Sequence, residues 1–188
     1  MTKVLRPDEL RSKLALATTS TEAHLFFAAL LRTAAGVSPD RFFVVGGSAI
    51  EIYTVGKYTS GDMDLVTDEG ERVEKVLRHW EFGKSGRIWT NDRLDLVVDL
   101  VKPPYTGSPE RSTLVTTPFG VVRLAAIEDL LVKRLSATRH WGVKGDFEHA
   151  MMLALQFGTT LDWEYIERFA VEHQVLDLAR ELRKAVGA

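Results

Sequence analysis

Asp62 and Asp64 stand one residue apart in "GDMDLVTD", inside a run that is otherwise apolar around them. A strand points residues i and i+2 the same way. Two carboxylates on one strand face repel each other, and the partner that relieves them is a hard cation with oxygen ligands, Mg2+ before others. Upstream, "RFFVVGGSAIEIYTV" puts Gly46, Gly47 and Ser48 between an apolar run and a helical pattern. Glycines there let the backbone turn sharply and approach a ligand closely. A helix starting at that turn aims N–H groups and its positive dipole end at whatever lies in front, which favours phosphate, and Ser48 offers a hydroxyl donor. Downstream, "RLDLVVDLV" places Asp95, Val97, Asp99 and Val101 on one strand face. Either aspartate can be a third carboxylate. Asp99, between valines of its own face, is expected to be enclosed, where a carboxylate without a partner is costly. Asp95 lies nearer the strand start and water. Metal ions in pairs, about 3.5 to 4 Å apart, clamp the attacking and leaving oxygens of a phosphoryl or nucleotidyl displacement.

Plainer readings stand beside these. Gly46-Gly47 also suits a tight turn, Asp62 an Asx turn at a strand start, and Asp99 a structural ion pair with an arginine. The Asx reading leaves Asp64, between Met63 and Leu65, unexplained. Lys57 and Tyr58, in the loop before Asp62, are candidates for nucleotide contact. Lys133, Arg134 and Arg139 share one predicted helix and suit a triphosphate or RNA, or a solvated charged face; Lys144 in "WGVKGD" is a further candidate for phosphate. The five histidines show no metal-ligand spacing and read as surface or satisfied core residues, and the four tryptophans read as core or core-edge residues. "GKSG" at 83–86 lacks the spacing of a phosphate-binding P-loop.

The elements that must position these groups follow from pattern. "RPDELRSKLALATTS" and "TSTEAHLFFAALLRTAAG" read as helices, the second capped by Ser20 or Thr21 and stopped by Gly36. "RFFVVGG" is a short buried strand, "SAIEIYTV" a helix, "DMDLVT" a strand and "EGERVEKVLRHWEFG" an amphipathic helix. "GRIWTN" and "RLDLVVDLV" read as strands joined tightly at Asp92-Arg93, and "TLVTTPFGVVRLA" holds one or two more. From Ala126 onward the pattern is helical. This predicts an α/β (α+β) core over 1–124, a mixed sheet with helices on one side, followed by a helical part over 125–188.

The 188 residues suggest one domain, or one domain with a helical annex. Apolar residues make up 45% and charged residues 27%, as in soluble globular proteins. A net charge of -2 gives no global basic field for nucleic acid, and no DNA partner is expected. Cysteine is absent, which excludes thiolate chemistry. No apolar leader and no membrane-length run is visible, so a cytoplasmic protein is expected.

Across residues 42 to 101, "VVGGSAIEIYTVGKYTSGDMDLV" and the later strand aspartate resemble the signature of the DNA polymerase beta-like nucleotidyltransferase superfamily. The likeness is greatest to its small bacterial and archaeal members, including toxins of toxin-antitoxin pairs. The resemblance implies that Gly46, Gly47 and Ser48 form the phosphate-facing turn and that Asp62 and Asp64 are the metal-binding, catalytic pair. It implies Asp99 as the third carboxylate, because Asp99 lies just before the "KPP" loop, with Asp95 in reserve. "IEDLLVKRLSATRHWGVKGD" is similar to the helical tail of those proteins, which puts Lys133 among the nucleotide-binding candidates. The implied cofactor is Mg2+, as two ions, with Mn2+ as a substitute. The implied reaction moves a nucleoside monophosphate from an NTP, ATP among them, to a hydroxyl of RNA such as a tRNA 3' end, of a protein, or of a small molecule such as an aminoglycoside. An antitoxin protein is the implied partner. The alternative is a catalytically silent module of the same fold that binds a nucleotide or a protein.

Overall fold

The structure, a computed structural model, describes residues 4–142 and 144–188. The side chain of Lys144 lies outside the described residues. Two compact units divide the chain, Met1–Ala125 and Ala126–Ala188. Among the described residues, the first unit holds α1 (Pro7–Leu14), α2 (Ser20–Ala35), β1 (Phe42–Val44), α3 (Gly46–Tyr53), β2 (Met63–Thr67) and α4 (Gly70–His79). It continues with β3 (Gly83–Ser85), β4 (Ile88–Asn91), β5 (Leu96–Val101), β6 (Thr113–Thr117) and β7 (Gly120–Leu124). The strands form one sheet in the order β3-β4-β5-β2-β1-β7-β6. It is mixed, as expected: β2 runs parallel to β5 and β1 to β7, and the other neighbours are antiparallel.

Ladder register sorts the strand residues onto two faces, because paired residues point the same way and neighbours along a strand alternate. Met63 pairs with Val98 and Val98 with Trp89, while Leu65 pairs with Val44 and Val44 with Leu124. All of these are buried. Asp64 pairs with Asp99, and Asp99 with Ile88, on the opposite face, where Asp64, Ile88, Val97 and Val101 keep partial exposure. The sheet thus has a closed face that makes core and a more open face that carries acids.

Helix α2 packs against α1, α3, α4 and β7. Its Phe27 meets Trp80 and Phe82 at ring-centroid distances of 6.0 and 5.6 Å, and each such buried side chain contributes about 1.5–3 kcal/mol. The cap of α2 is Thr19, whose hydroxyl accepts from the Glu22 N–H at 3.1 Å, rather than Ser20 or Thr21. Gly36, in the left-handed region at φ 63°, ends the helix as predicted.

Several expectations are corrected. Strand β5 starts at Leu96, and Asp95 sits in the preceding turn at φ 52°, exposed, so it does not share a strand face with Asp99. The β4–β5 turn occupies 92–95, longer than a tight Asp92-Arg93 joint. "GKS" of the rejected P-loop look-alike is edge strand β3. Trp80, Trp89 and Trp163 are core residues, but Trp141 is 80% exposed.

The second unit holds α5 (Ile127–Trp141), α6 (Lys144–Phe157), α7 (Trp163–Glu172) and α8 (Leu176–Ala185). Leu131, Leu135, Ala150, Ile166, Val175 and Leu182 form the centre of its apolar core. Among the described residues, no helix is long and apolar enough to cross a membrane.

Candidate functional site

Strands β2 and β5 run parallel with Asp64 beside Asp99, and Asp62 immediately precedes β2. This register brings one ligand oxygen from each of Asp62, Asp64 and Asp99 within 4.8 Å of one another. Asp99 is 4% exposed. Its Oδ2 receives the Arg87 guanidinium at 2.9 Å, while its Oδ1 is buried without a hydrogen-bond partner. Burial pushes the Asp99 carboxyl above the usual carboxylate range; Arg87 pulls it back down and the nearby Asp62 charge pushes it up again. Buried polar atoms are almost always partnered. An unpartnered oxygen in a trio of convergent carboxylates is the donor set a hard cation takes, so the residues present fit Mg2+ or Mn2+.

The Gly-Gly turn serves this cluster directly. Helix α3 begins at Gly46, and the Gly47 N–H donates to Asp64 Oδ2 at 2.9 Å. The positive end of α3 is therefore aimed at a carboxylate of the protein itself. Gly46 has φ +55°, and a Cβ there would lie 2.3 Å from Asp64 Oδ2. A Cβ on Gly47 would meet Ser60 Oγ at 2.6 Å and the Tyr58 hydroxyl at 3.1 Å. The two glycines let α3 start against β2 and the loop before it.

Ser48 does stand in the first turn of α3, but its hydroxyl is turned inward. It is 1% exposed, donates to the Val45 carbonyl at 3.0 Å and accepts from the Asp64 N–H at 3.1 Å. A hydroxyl has one proton to donate, and here it points to the Val45 carbonyl, so that Ser48 bridges the start of α3 and β2. Ser48→Ala is expected to remove both hydrogen bonds of this buried hydroxyl and to cost about 1–3 kcal/mol. A fall in melting temperature, read by circular dichroism, checks this; an unchanged value would contradict it.

Sequence reasoning missed Glu51. It is fully buried on α3, where Oε1 accepts from Thr21 Oγ1 at 2.9 Å and lies 3.2 Å from His24 Nδ1. Its Oε2 accepts from the Ser60 N–H at 2.8 Å, and Ser60 Oγ in turn donates to the Asp62 carbonyl at 2.9 Å. Glu51 thus ties α2, α3 and the loop that delivers Asp62. The signal available in sequence was an acid between Ile50 and Ile52. Arg87 was also missed, and no local pattern marks it.

Lys133 lies in the second unit, on α5. Its Nζ is 3.1 Å from His173 Nε2 and 5.5 Å from the Phe169 ring centroid. Burial lowers its pKa, with Asp129 and Glu172 acting the other way. Arg134 pairs with Asp146 at 2.7 Å, and Arg139 pairs with Asp177. Lys57 is exposed. No protein-family model, no curated protein and no solved structure matches the chain.

Proposed function

We propose that the chain is a divalent-metal-dependent nucleotidyltransferase whose centre is Asp62, Asp64 and Asp99. The observation that carries this reading is the convergence of the three carboxylates, with a buried and unpartnered oxygen on Asp99. A helix that opens on glycines after β1, followed by Asp-x-Asp at the start of β2 and an aspartate on the parallel neighbour β5, agrees with the nucleotidyltransferase-type core that the sequence resembles.

In the proposed reaction an acceptor hydroxyl oxygen bonds to the α-phosphorus of an NTP. The bond from that phosphorus to the bridging oxygen breaks, pyrophosphate leaves, and the hydroxyl proton passes to solvent. Bound Mg2+ would supply charge neutralisation and a more acidic acceptor hydroxyl. The three carboxylates hold the ions, and the Gly47 N–H and Ser48 hydroxyl keep Asp64 in register. Gly46 leaves room for the Asp64 carboxylate to lie against the start of α3. Such catalysis rests on positioning and on preorganised charge. RNA, protein and small-molecule hydroxyls are the acceptor classes.

The Arg87–Asp99 ion pair favours a second reading, a silent module in which arginine replaces metal. One experiment separates them: incubation with each labelled NTP, Mg2+ and cell extract or total RNA, followed by identification of what becomes labelled. Transfer that vanishes on chelation supports the enzyme. No label from any NTP supports the silent module.

A further inference from the structure

Arg87 follows Gly86, which has φ +60°, at the end of the β3–β4 hairpin. Its carbonyl accepts from the Leu100 N–H at 3.1 Å, which fixes the backbone beside Asp99. Its side chain is 62% exposed, yet Nη2 holds Asp99 Oδ2 at 2.9 Å. A guanidinium carries five N–H donors in a fixed fork, more than one carboxylate oxygen can use. It also brings a single positive charge to three carboxylates. The other Asp99 oxygen stays unpartnered.

Arg87 and a divalent ion therefore draw on one carboxylate, the guanidinium through Oδ2 and an ion through the unpartnered Oδ1. An ion on the trio neutralises the negative charge that holds the guanidinium and so competes with it by charge. The displaced guanidinium is anchored by its backbone at the rim of the centre with its donors open. Arginine's fork matches phosphate oxygens, and its charge is permanent.

We propose that Arg87 is a substrate-positioning residue, which holds Asp99 in the metal-free protein and takes the phosphate chain of the nucleotide once the ion is bound. This rests on the metal-dependent reading above and adds to it a named anchor for the polyphosphate.

The test uses Arg87→Gln and Arg87→Lys in the full chain, with two readouts that need no turnover. The first is Mn2+ affinity of nucleotide-free protein, followed by electron paramagnetic resonance of free Mn2+. The second is the affinity for tripolyphosphate at saturating Mn2+. Arg87→Gln is expected to bind Mn2+ roughly tenfold more tightly, because a competing positive charge is gone. It is expected to bind tripolyphosphate roughly tenfold to a hundredfold more weakly, because a charge-assisted hydrogen bond to phosphate is lost. Arg87→Lys keeps the charge without the fork, so its Mn2+ affinity should stay near wild type while tripolyphosphate weakens in part. Wild-type Mn2+ binding with both affinities unmoved in Arg87→Gln would overturn this proposal alone. Weaker Mn2+ binding by Arg87→Gln would overturn it too, making Arg87 a support for Asp99. A wild type that takes up no Mn2+ would overturn the metal reading and this proposal together.

Discussion

Asp99→Asn is expected to lower NTP-dependent labelling of the acceptor by roughly a hundredfold to a thousandfold or more, the scale of losing one preorganised charge-stabilising group. The fold should survive, because Asn keeps the shape and sheds a charge that burial penalises. The melting temperature is therefore expected to hold or to rise. Asp95→Asn is expected to stay within about twofold of wild type in both respects. Asp95 is exposed in the β4–β5 turn at φ 52°, a backbone conformation that Asn tolerates as Asp does. Loss of transfer in the Asp95 variant, with near-normal transfer in the Asp99 variant, would reverse the assignment of the third carboxylate.

Gly46→Ala is expected to be the most damaging change at the turn. At φ +55° a non-glycine residue costs about 1–2 kcal/mol. The new Cβ would also lie 2.3 Å from Asp64 Oδ2 and 2.7 Å from Asp64 Cγ, so the carboxylate must move. Moving it breaks the Gly47 N–H to Asp64 Oδ2 hydrogen bond and unsettles the trio. Both a lower melting temperature and roughly tenfold weaker Mn2+ binding should follow. Gly47→Ala is the control. Its Cβ would press on the Ser60 and Tyr58 hydroxyls and reach the trio only indirectly, through the Ser60 hydroxyl that donates to Asp62, and its φ is not in the left-handed region. It should therefore cost stability with a smaller effect on Mn2+. A Gly46→Ala protein that melts and binds Mn2+ as wild type does would remove the turn from the centre.

The centre was partly legible in the chain because strand alternation is a short-range rule. Asp64 between Met63 and Leu65, and Asp99 between Val98 and Leu100, each announce a side chain on the face opposite the buried one. That the two aspartates pair side by side depends on the register of β2 and β5, which local pattern does not encode. Ser48 shows the same limit. Its place in the first turn of α3 follows from the glycines, but the direction of its hydroxyl depends on β2 passing close enough to offer the Asp64 N–H. Arg87 reaches Asp99 only because the β3–β4 hairpin turns at Gly86 and sets Ile88 opposite Asp99. Edge strand β3 was unreadable because all three of its residues are exposed and give no alternation. The helices of the second unit were legible because their apolar stripes repeat at the helical period and meet in one core.

Calorimetric titration of NTP into the wild-type chain, with and without Mg2+, tests the proposed centre most directly. Three carboxylates without an ion repel a triphosphate, and the same carboxylates loaded with Mg2+ hold it through the metal. Binding is expected only when the divalent ion is present, and it should disappear on chelation. Equal NTP affinity with and without the ion would contradict the proposal that Asp62, Asp64 and Asp99 form a metal centre for nucleotide chemistry.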